Sequence, residues 1–198
     1  MADDDAVAIR AVLDGDVDRY AELVDRYQGP ALRLAFSLLG NYADAEDVAQ
    51  DAFLNAYRAL GGFRRGAKFS TWLYRIVVNE CKDFWKRRAR RPLAAAVVAE
   101  PDPEHGSGVI LFVDPEDPGS SLRARADGHA IGERLSAAIG VLPMKQRTAF
   151  VLHHLHGMPL ADVAGVMQCR LGTVKAHVFR AVERLRGQMA PWLSQGGA

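Results

Sequence analysis

Six cationic side chains lie between residues 82 and 91, and two aromatic residues, Phe84 and Trp85, are interleaved with them. Cations bind the phosphates of a nucleic acid, and flat aromatic rings stack on unpaired bases. The end of a helix needs only one or two cations to complement its macrodipole. The combination therefore predicts a surface for a polyanion that carries bases, with a solvated helix end as the simpler alternative.

Three histidines, His153, His154 and His156, precede Asp162 and suggest a metal-dependent hydrolase as a rival. A zinc helix presents two histidines at positions i and i+4, whereas consecutive histidines point about 100° apart on a helix. No set of residues in the sequence has the pattern of an activated nucleophile or an acid–base pair. We therefore expect a protein that is not an enzyme and that needs no metal or cofactor.

The formal net charge of +1 conceals a segregation of charge along the 198 residues. Residues 1–60 carry 12 acidic and 5 basic side chains (net −7), and residues 64–91 carry 2 and 10 (net +8). Residues 92–129 carry 7 and 2 (net −5), and residues 130–198 carry 3 and 8 (net +5). Such blocks predict separate surfaces for partners of opposite charge.

Cys81 and Cys169 are too few for a disulfide framework and too far apart for a metal knuckle. No apolar run approaches the 18 residues of a membrane span, and the acidic N-terminus lacks the apolar core of a signal peptide. These features predict a reduced, cytoplasmic protein that does not insert into a membrane.

The cationic and aromatic residues belong to a longer amphipathic helix, predicted over Phe69–Arg91. At ~1.5 Å per residue it would be roughly 33 Å long, and burial of its apolar face would hold the basic face rigid. Apolar residues recur at the helical spacing of three and four, at Phe69, Trp72, Leu73, Ile76, Val77, Cys81, Phe84 and Trp85.

Three helical stretches are predicted before this helix. The first is Ala6–Leu13, the second begins after Asp16 and is started again or kinked by Pro30 before Gly40 ends it, and the third is Asn41–Leu60. Acidic side chains flank the apolar face of the third, either as a docking surface or only as partners of the helix dipole. The loop 61–68 is basic and rich in glycine, and is either a ligand-binding loop or a surface turn.

Residues 92–129 read as an acidic linker, because prolines recur in them without a helical period. The apolar run Val109–Val113 within the linker is either a short strand, a docking segment or a run that is apolar by chance. Four helices are predicted after Ala130, and Gly140 and Gly157 separate the first three of them. A short helix ending at Met167, a three-residue turn and a longer basic helix form the pattern of a helix-turn-helix.

With these elements placed, the chain resembles a sigma factor of the sigma-70 superfamily, of the extracytoplasmic-function group. The motifs of the first half are Asp44–Phe53, Phe63-Arg64 and Phe69–Ile76. Those of the second half are Leu142-Pro143, Gln146-Arg147, Gly157, Asp162–Ala164, Gly172–Lys175 and Arg180-Ala181. The resemblance implies an all-α fold of two small domains, 1–91 (region 2) and 130–198 (region 4), joined by the linker 92–129.

A factor of this kind binds core RNA polymerase and directs promoter-specific initiation. The resemblance implies contacts to the clamp helices of the largest subunit from Asp44, Asp47, Gln50 and Asp51, and a further contact to the flap of the second subunit. It implies that the central helix melts the minus-ten element, where an extruded base costs a few kcal/mol. The residues implied there are Arg64, Arg65, Lys68, Ser70, Thr71, Trp72, Arg75, Asn79, Lys82, Lys86, Arg87 and Arg88.

The last helix resembles the one that reads the minus-thirty-five element. The residues implied are Arg170, Thr173, Lys175, Ala176, His177, Phe179 and Arg180. Arginine can address guanine, and an exposed phenylalanine can touch a thymine methyl, although Phe179 could instead be ordinary core. Gln168 and Arg170 are among the positions that depart from residues the family often carries.

The remaining rival is a stand-alone helix-turn-helix regulator, which would leave residues 44–91 without a function. The resemblance further implies promoter DNA and an anti-sigma factor as partners. Two promoter boxes two duplex turns apart lie ~70 Å from each other, so the linker must be drawn out, and we expect its acids to face polymerase.

Overall fold

A computed structural model describes residues 2–64, 68–90, 132 and 134–193, and within them the ordered elements are helical, with no strand. This confirms the predicted all-α class. The helices of the first half are α1 (Ala2–Leu13), α2 (Tyr20–Leu39), α3 (Tyr42–Ala59) and α4 (Phe69–Arg90). Those of the second half are α5 (134–140), α6 (Met144–Phe150, extended by a π-helical segment Val151–Leu155), α7 (Leu160–Met167) and α8 (Leu171–Leu193).

Helices α2, α3 and α4 pack on one another and enclose the core of the first half. Their inward faces bury aliphatic side chains almost completely, and each contributes ~1.5–3 kcal/mol as an upper estimate. The largest of these side chains are Leu23, Leu34, Leu38, Val48, Leu60, Leu73, Val77 and Val78. The basic helix α4 is therefore anchored from Phe69 to Cys81.

Helix α1 begins at Ala2, four residues before the predicted start. Asp5 explains the difference, because its buried carboxylate pairs with Arg26 and accepts a 2.6 Å hydrogen bond from the hydroxyl of Tyr27. Burial, and then the bond to Asp5, raise the pKa of Tyr27. Contacts between helices thus order a segment whose own sequence pattern is weak.

The boundary of α2 also differs from the prediction at Pro30. That residue lies inside a continuous helix instead of starting a second one. Tyr27 and Ala31 on either side of it are buried, and this packing offsets the hydrogen bond that proline cannot donate. Gly40 ends α2 in the left-handed conformation (φ 78°), and the side chain of Asn41 caps α3 by accepting from the Asp44 amide at 2.9 Å.

The second half contains the predicted helix-turn-helix in α7 and α8. Val163, Val166, Val174 and Ala181 are buried where the two helices meet α6. Gln168 makes the turn with φ 52°, in the left-handed region that favours glycine. It is the only non-glycine residue with positive φ among the described residues.

We expect the change Gln168→Gly to raise the free energy of unfolding by ~0.5–1 kcal/mol. The left-handed conformation costs an L residue ~1–2 kcal/mol, which glycine avoids. Glycine also gives the unfolded chain more conformational entropy, and this offsets part of the stabilisation. Denaturant unfolding checks this against Gln188→Gly inside α8, which should lower stability by a similar amount. A loss in both variants would contradict the strain at residue 168.

The buried residues of the two halves form one continuous cluster. Helix α4 packs on α7, and α2 touches α6 and the π-helical segment that follows it. The helix-turn-helix therefore lies directly against the basic helix. No helix in the described ranges has the length and apolar character that a membrane span needs.

Candidate polymerase and nucleic-acid interfaces

One face of α3 presents acidic and amide side chains to solvent. Asp47, Gln50 and Asp51 are exposed, as predicted, and a helical spacing of three and four residues places them together. Leu54 continues the same face and is 55% exposed. The sequence prediction did not include Leu54. Its spacing of seven residues from Asp47 and four from Gln50 nevertheless places it on the same face of the helix. The face therefore combines two carboxylates, one amide and one exposed apolar side chain.

Two further residues of α3, Asp44 and Tyr57, differ from the prediction. The carboxylate of Asp44 lies 3.8 Å from the guanidinium of Arg88 on α4, so a predicted polymerase contact and a predicted DNA contact lie side by side. The helical period also predicts Tyr57 in the apolar stripe of α3, but Tyr57 is 40% exposed and packs edge-on against Tyr20 at 5.1 Å between ring centroids.

Three aromatic rings meet where the basic loop enters α4. Trp72 lies 5.3 Å from Phe63 and 5.6 Å from Phe69, and Phe63 and Phe69 are 5.9 Å apart between centroids. Trp72 is only half-buried, so one part of the indole packs in this cluster while another part is accessible. Arg64 is exposed beside the cluster, whereas Arg65 lies outside the described residues. The arrangement provides an aromatic wall next to a cation.

The adjoining face of α4 contacts the second half of the chain. The ammonium group of Lys68 lies 2.7 Å from Asp162 in the first turn of α7. A Cβ atom added to Gly165 would lie 3.4 Å from the methyl group of Thr71. One turn later, the Tyr74 ring packs edge-on against His156 at 6.0 Å. Ser70 and Arg75 at the same end of α4 are half-buried.

The C-terminal half of α4 is more open. Asn79, Lys86, Arg87 and Arg88 are exposed, as predicted. Trp85, expected in the apolar stripe, is 38% exposed and packs edge-on against Phe84 at 6.0 Å. Lys82 is half-buried, and its pKa is lowered first by burial and then by Lys86 and Lys145. This end of α4 offers cations and an indole to a polyanion.

Helix α8 presents its predicted reading face to solvent. Arg170, Thr173, Lys175, Ala176 and Arg180 are exposed, and Phe179 is 66% exposed. An exposed phenylalanine between basic residues is the chemistry that contacts thymine methyl groups, so ordinary core packing does not explain Phe179. His177 is half-buried, and burial, then Lys145 and Arg180, lower its pKa.

The histidines of the rival metal-site hypothesis have separate neighbours. Nδ1 of His153 lies 2.9 Å from the Met158 carbonyl oxygen, and His154 packs on Phe150 at 4.9 Å between centroids. His156 packs on Tyr74 of the first half. In the ranges that the structure describes, no group of three or more potential metal ligands comes together.

We expect the stability of the protein to fall between pH 7.5 and pH 5 because of His156. Burial, and next the charge of Arg33, lower its pKa from 6.5 to about 4. Its contribution is complete above pH ~6.5 and is lost as the pH falls towards 4, since the unfolded chain takes up the proton first. The expected loss at pH 5 is roughly 2 kcal/mol.

Denaturant unfolding at the two pH values measures this loss. The variant His156→Gln should lose less stability than the parent protein, and less than His154→Gln, because burial lowers the pKa of the more exposed His154 as well but His156 has the larger shift. Equal pH dependence of all three proteins would contradict the assignment to His156.

Comparison with known proteins gives two family matches in the order of the chain. Residues 23–91 match the family Sigma-70 region 2, and residues 132–185 match the family Sigma-70, region 4. The RNA polymerase sigma-H factor of Pseudomonas aeruginosa is 37% identical over 191 residues, with 96% of each chain covered. The extracytoplasmic-function (ECF) RNA polymerase sigma-E factor of Escherichia coli K12 is 35% identical, with 94% of this chain and 95% of the relative covered.

A solved structure shares the fold. The sigma factor RpoE of Bartonella quintana, in complex with the anti-sigma factor NepR, superposes with a TM-score of 0.65 at 24% identity, covering 86% of this chain and 96% of that one. The matches to the sigma factors extend over nearly the whole chain, and the two family matches span both motif sets. This chain belongs to the sigma-70 superfamily, among the extracytoplasmic-function RNA polymerase sigma factors.

Proposed function

We propose that the chain binds core RNA polymerase and directs it to specific promoters, while polymerase performs the chemistry. The observation that carries this proposal is the exposed acidic face of α3, which Leu54 continues at its C-terminal end. A stand-alone regulator needs only the helix-turn-helix and gives such a face no function. The function also implies action in the cytoplasm, where polymerase transcribes.

The first half of the chain would provide the main docking surface for polymerase. Asp47, Gln50 and Asp51, with Leu54, would bind the clamp helices of the largest subunit, because charged rims around an apolar contact favour specific docking. Asp44 would order the start of α3 and hold Arg88. The second half would contact the flap of the second subunit, and residues 92–129 would link the two domains, 1–91 and 130–198.

Helix α4 and the loop before it would open the promoter. Lys68, Ser70, Thr71, Trp72 and Arg75 would receive the unstacked strand, with the Phe63–Trp72 cluster as the wall on which a base stacks. Phosphates would be held by Arg64, Arg65, Asn79, Lys82, Lys86, Arg87 and Arg88. The cations add affinity without sequence preference, so specificity would rest on the polar side chains that contact the unstacked base beside the aromatic cluster.

Helix α8 would recognise the minus-thirty-five element. Lys175, Phe179 and Arg180 would enter the major groove, where arginine binds guanine and phenylalanine contacts thymine. Arg170, Thr173, Ala176 and His177 would line the same groove. An anti-sigma factor, such as the one bound to the Bartonella quintana sigma factor, would act by covering these surfaces.

Reconstitution with purified core polymerase tests the proposal. The chain should co-purify with polymerase and support run-off transcription from a randomised promoter library, with the selected templates sharing two boxes about two duplex turns apart. Specific duplex binding by the chain alone, with no binding to polymerase, would favour the regulator instead.

A further inference from the structure

Helix α1 is fastened to α2 by a buried carboxylate that none of the proposed docking or DNA surfaces uses. Asp5 is 7% exposed, pairs with the guanidinium of Arg26 and accepts the 2.6 Å hydrogen bond from the Tyr27 hydroxyl. Burying a carboxylate costs free energy unless its partners satisfy it, whereas the buried side chains Ile9 and Val12 hold the same helix without that cost. A satisfied polar network of this kind fixes one geometry of the groups that it joins.

The Tyr27 ring, which this network holds, supports the start of α4. The ring is buried, and its centroid lies 5.3 Å from that of Phe69, the first residue of α4. Phe69 in turn packs on Trp72 at 5.6 Å and on Phe63 at 5.9 Å between centroids. Phe63, Phe69 and Trp72 are the aromatic cluster. An unbroken series of contacts therefore joins the carboxylate of α1 to the aromatic cluster.

Helix α1 also supports the other side of the aromatic cluster. It contacts the short helical turn Leu60–Gly62, where the loop before α4 begins. The amide of Phe63 donates a 3.0 Å hydrogen bond to the carbonyl oxygen of Leu60, which couples the backbone of Phe63 to this turn. The Phe63 ring lies 5.3 Å from that of Trp72. Both rings that flank Trp72 are thus supported from α1.

The position of the cluster matters because a base stacks only on a correctly placed ring. Stacking on an aromatic side chain raises the affinity for a base by roughly fivefold to 100-fold. A binding group must be held within ~0.5 Å of its productive position by the side chains that pack behind it. Trp72 is only half-buried, so the residues around it enclose the indole on one side alone. The support that reaches it from α1 therefore bears on binding.

We propose that Asp5 is a positioning residue for promoter opening, which acts through Tyr27 to hold the aromatic cluster in the orientation that stacks the extruded base. This inference rests on the proposed function. It extends that function to α1, a helix with no residue among those assigned to polymerase or DNA. Asp5 itself does not touch DNA, since its carboxylate is buried between α1 and α2.

An abasic oligonucleotide tests the inference, because a displaced aromatic cluster matters only where there is a base to stack. The probe is a single-stranded minus-ten oligonucleotide from a template selected by the parent holoenzyme. It is made intact and with an abasic site at the position where base removal costs the parent holoenzyme most affinity. In the holoenzyme, Asp5→Ala should weaken binding of the intact form by about fivefold or more and of the abasic form by less than about twofold.

An equal loss on the intact and abasic forms would show that Asp5 serves only the fold and would overturn the inference. Unchanged binding of both forms would overturn it as well. Asp14→Ala is the matched control, because it removes the same charge at an exposed site just after the end of α1. It should bind both forms as the parent protein does.

Two conservative variants test the route through Tyr27. Tyr27→Phe removes only the hydroxyl and should reproduce the selective loss on the intact oligonucleotide. Asp5→Asn retains an oxygen that can accept the hydrogen bond from Tyr27, and should restore affinity to within about twofold of the parent. A loss in Asp5→Asn as large as that in Asp5→Ala would show that the charge pair with Arg26 decides the effect, which contradicts this route.

Fluorine NMR of the free chain labelled with fluorotryptophan gives a second readout, which needs neither polymerase nor DNA. The resonance of Trp72, assigned by its absence in Trp72→Phe, should shift in Tyr27→Phe. The resonance of Trp85, further along α4, should keep its position and so report that the helix is folded. An unchanged Trp72 resonance would overturn the coupling between Tyr27 and the aromatic cluster.

The failure of this inference differs from a failure of the proposed function. A parent holoenzyme that binds intact and abasic oligonucleotides equally well at every position would count against base stacking in the proposed function itself. A parent holoenzyme that discriminates between them, together with an Asp5→Ala holoenzyme that discriminates equally well, would count against the role of Asp5 alone.

Discussion

Replacing Arg75, Lys82 and Lys86 together by alanine should reduce promoter opening by at least ~100-fold while leaving the binding of core polymerase intact. Each side chain offers a charged contact to the displaced strand, and three contacts of ~1 kcal/mol multiply to about this factor. All three lie on α4, whose buried stripe does not involve them. The fold should therefore survive the change.

Permanganate reactivity of thymines in the bubble measures opening, and a pull-down measures the binding of polymerase. The salt dependence should also weaken by about two units of slope, since each lost contact to a single strand releases fewer ions. A matched triple variant, Arg10→Ala/Arg19→Ala/Arg58→Ala, removes three cations of the first half that lie outside α4 and should open promoters normally. Unchanged thymine reactivity in the α4 variant would contradict the proposed role of this helix.

The exposed surfaces could be predicted from the sequence because they depend on local periodicity. Asp47, Gln50 and Asp51 lie beside the apolar stripe of α3, and Lys175 and Arg180 beside that of α8, so helical spacing alone predicts their exposure. The cap at Gly40 follows from the residue type at a single position. These features need no knowledge of the rest of the chain.

The differences from prediction arise where distant residues decide the outcome. Tyr74 was outside the predicted stripe of α4, yet it is buried and packs on His156, 82 positions further along the chain. The pairing of Asp5 with Arg26 extends α1, and packing on both sides of Pro30 keeps α2 continuous. The contact between the two halves could not be predicted from the sequence of either half, because each half has a complete helical pattern of its own. The expected linker 92–129 and its Val109–Val113 run lie outside the described residues.

Reversing two charges on α3, in the variant Asp47→Lys/Asp51→Lys, should weaken binding to core polymerase by at least ~100-fold. The change places two cations where the clamp helices are proposed to bind carboxylates, and like-charge contacts across an interface cost several kcal/mol. Both residues are exposed and make no ion pair within the described residues that could be lost. The thermal stability of the free chain and the binding of α8 to a duplex should therefore change little.

The control variant Asp14→Lys/Asp18→Lys makes the same change in net charge at two exposed sites of the first half, away from α3. It separates a local docking defect from a general change in attraction to polymerase, because long-range steering responds to net charge at either place. Leu54→Ala extends the test without altering charge: if the apolar contact is central, affinity should fall about tenfold, with the effect in the dissociation rate. Equal affinities of the two charge variants would show that α3 is not the docking surface.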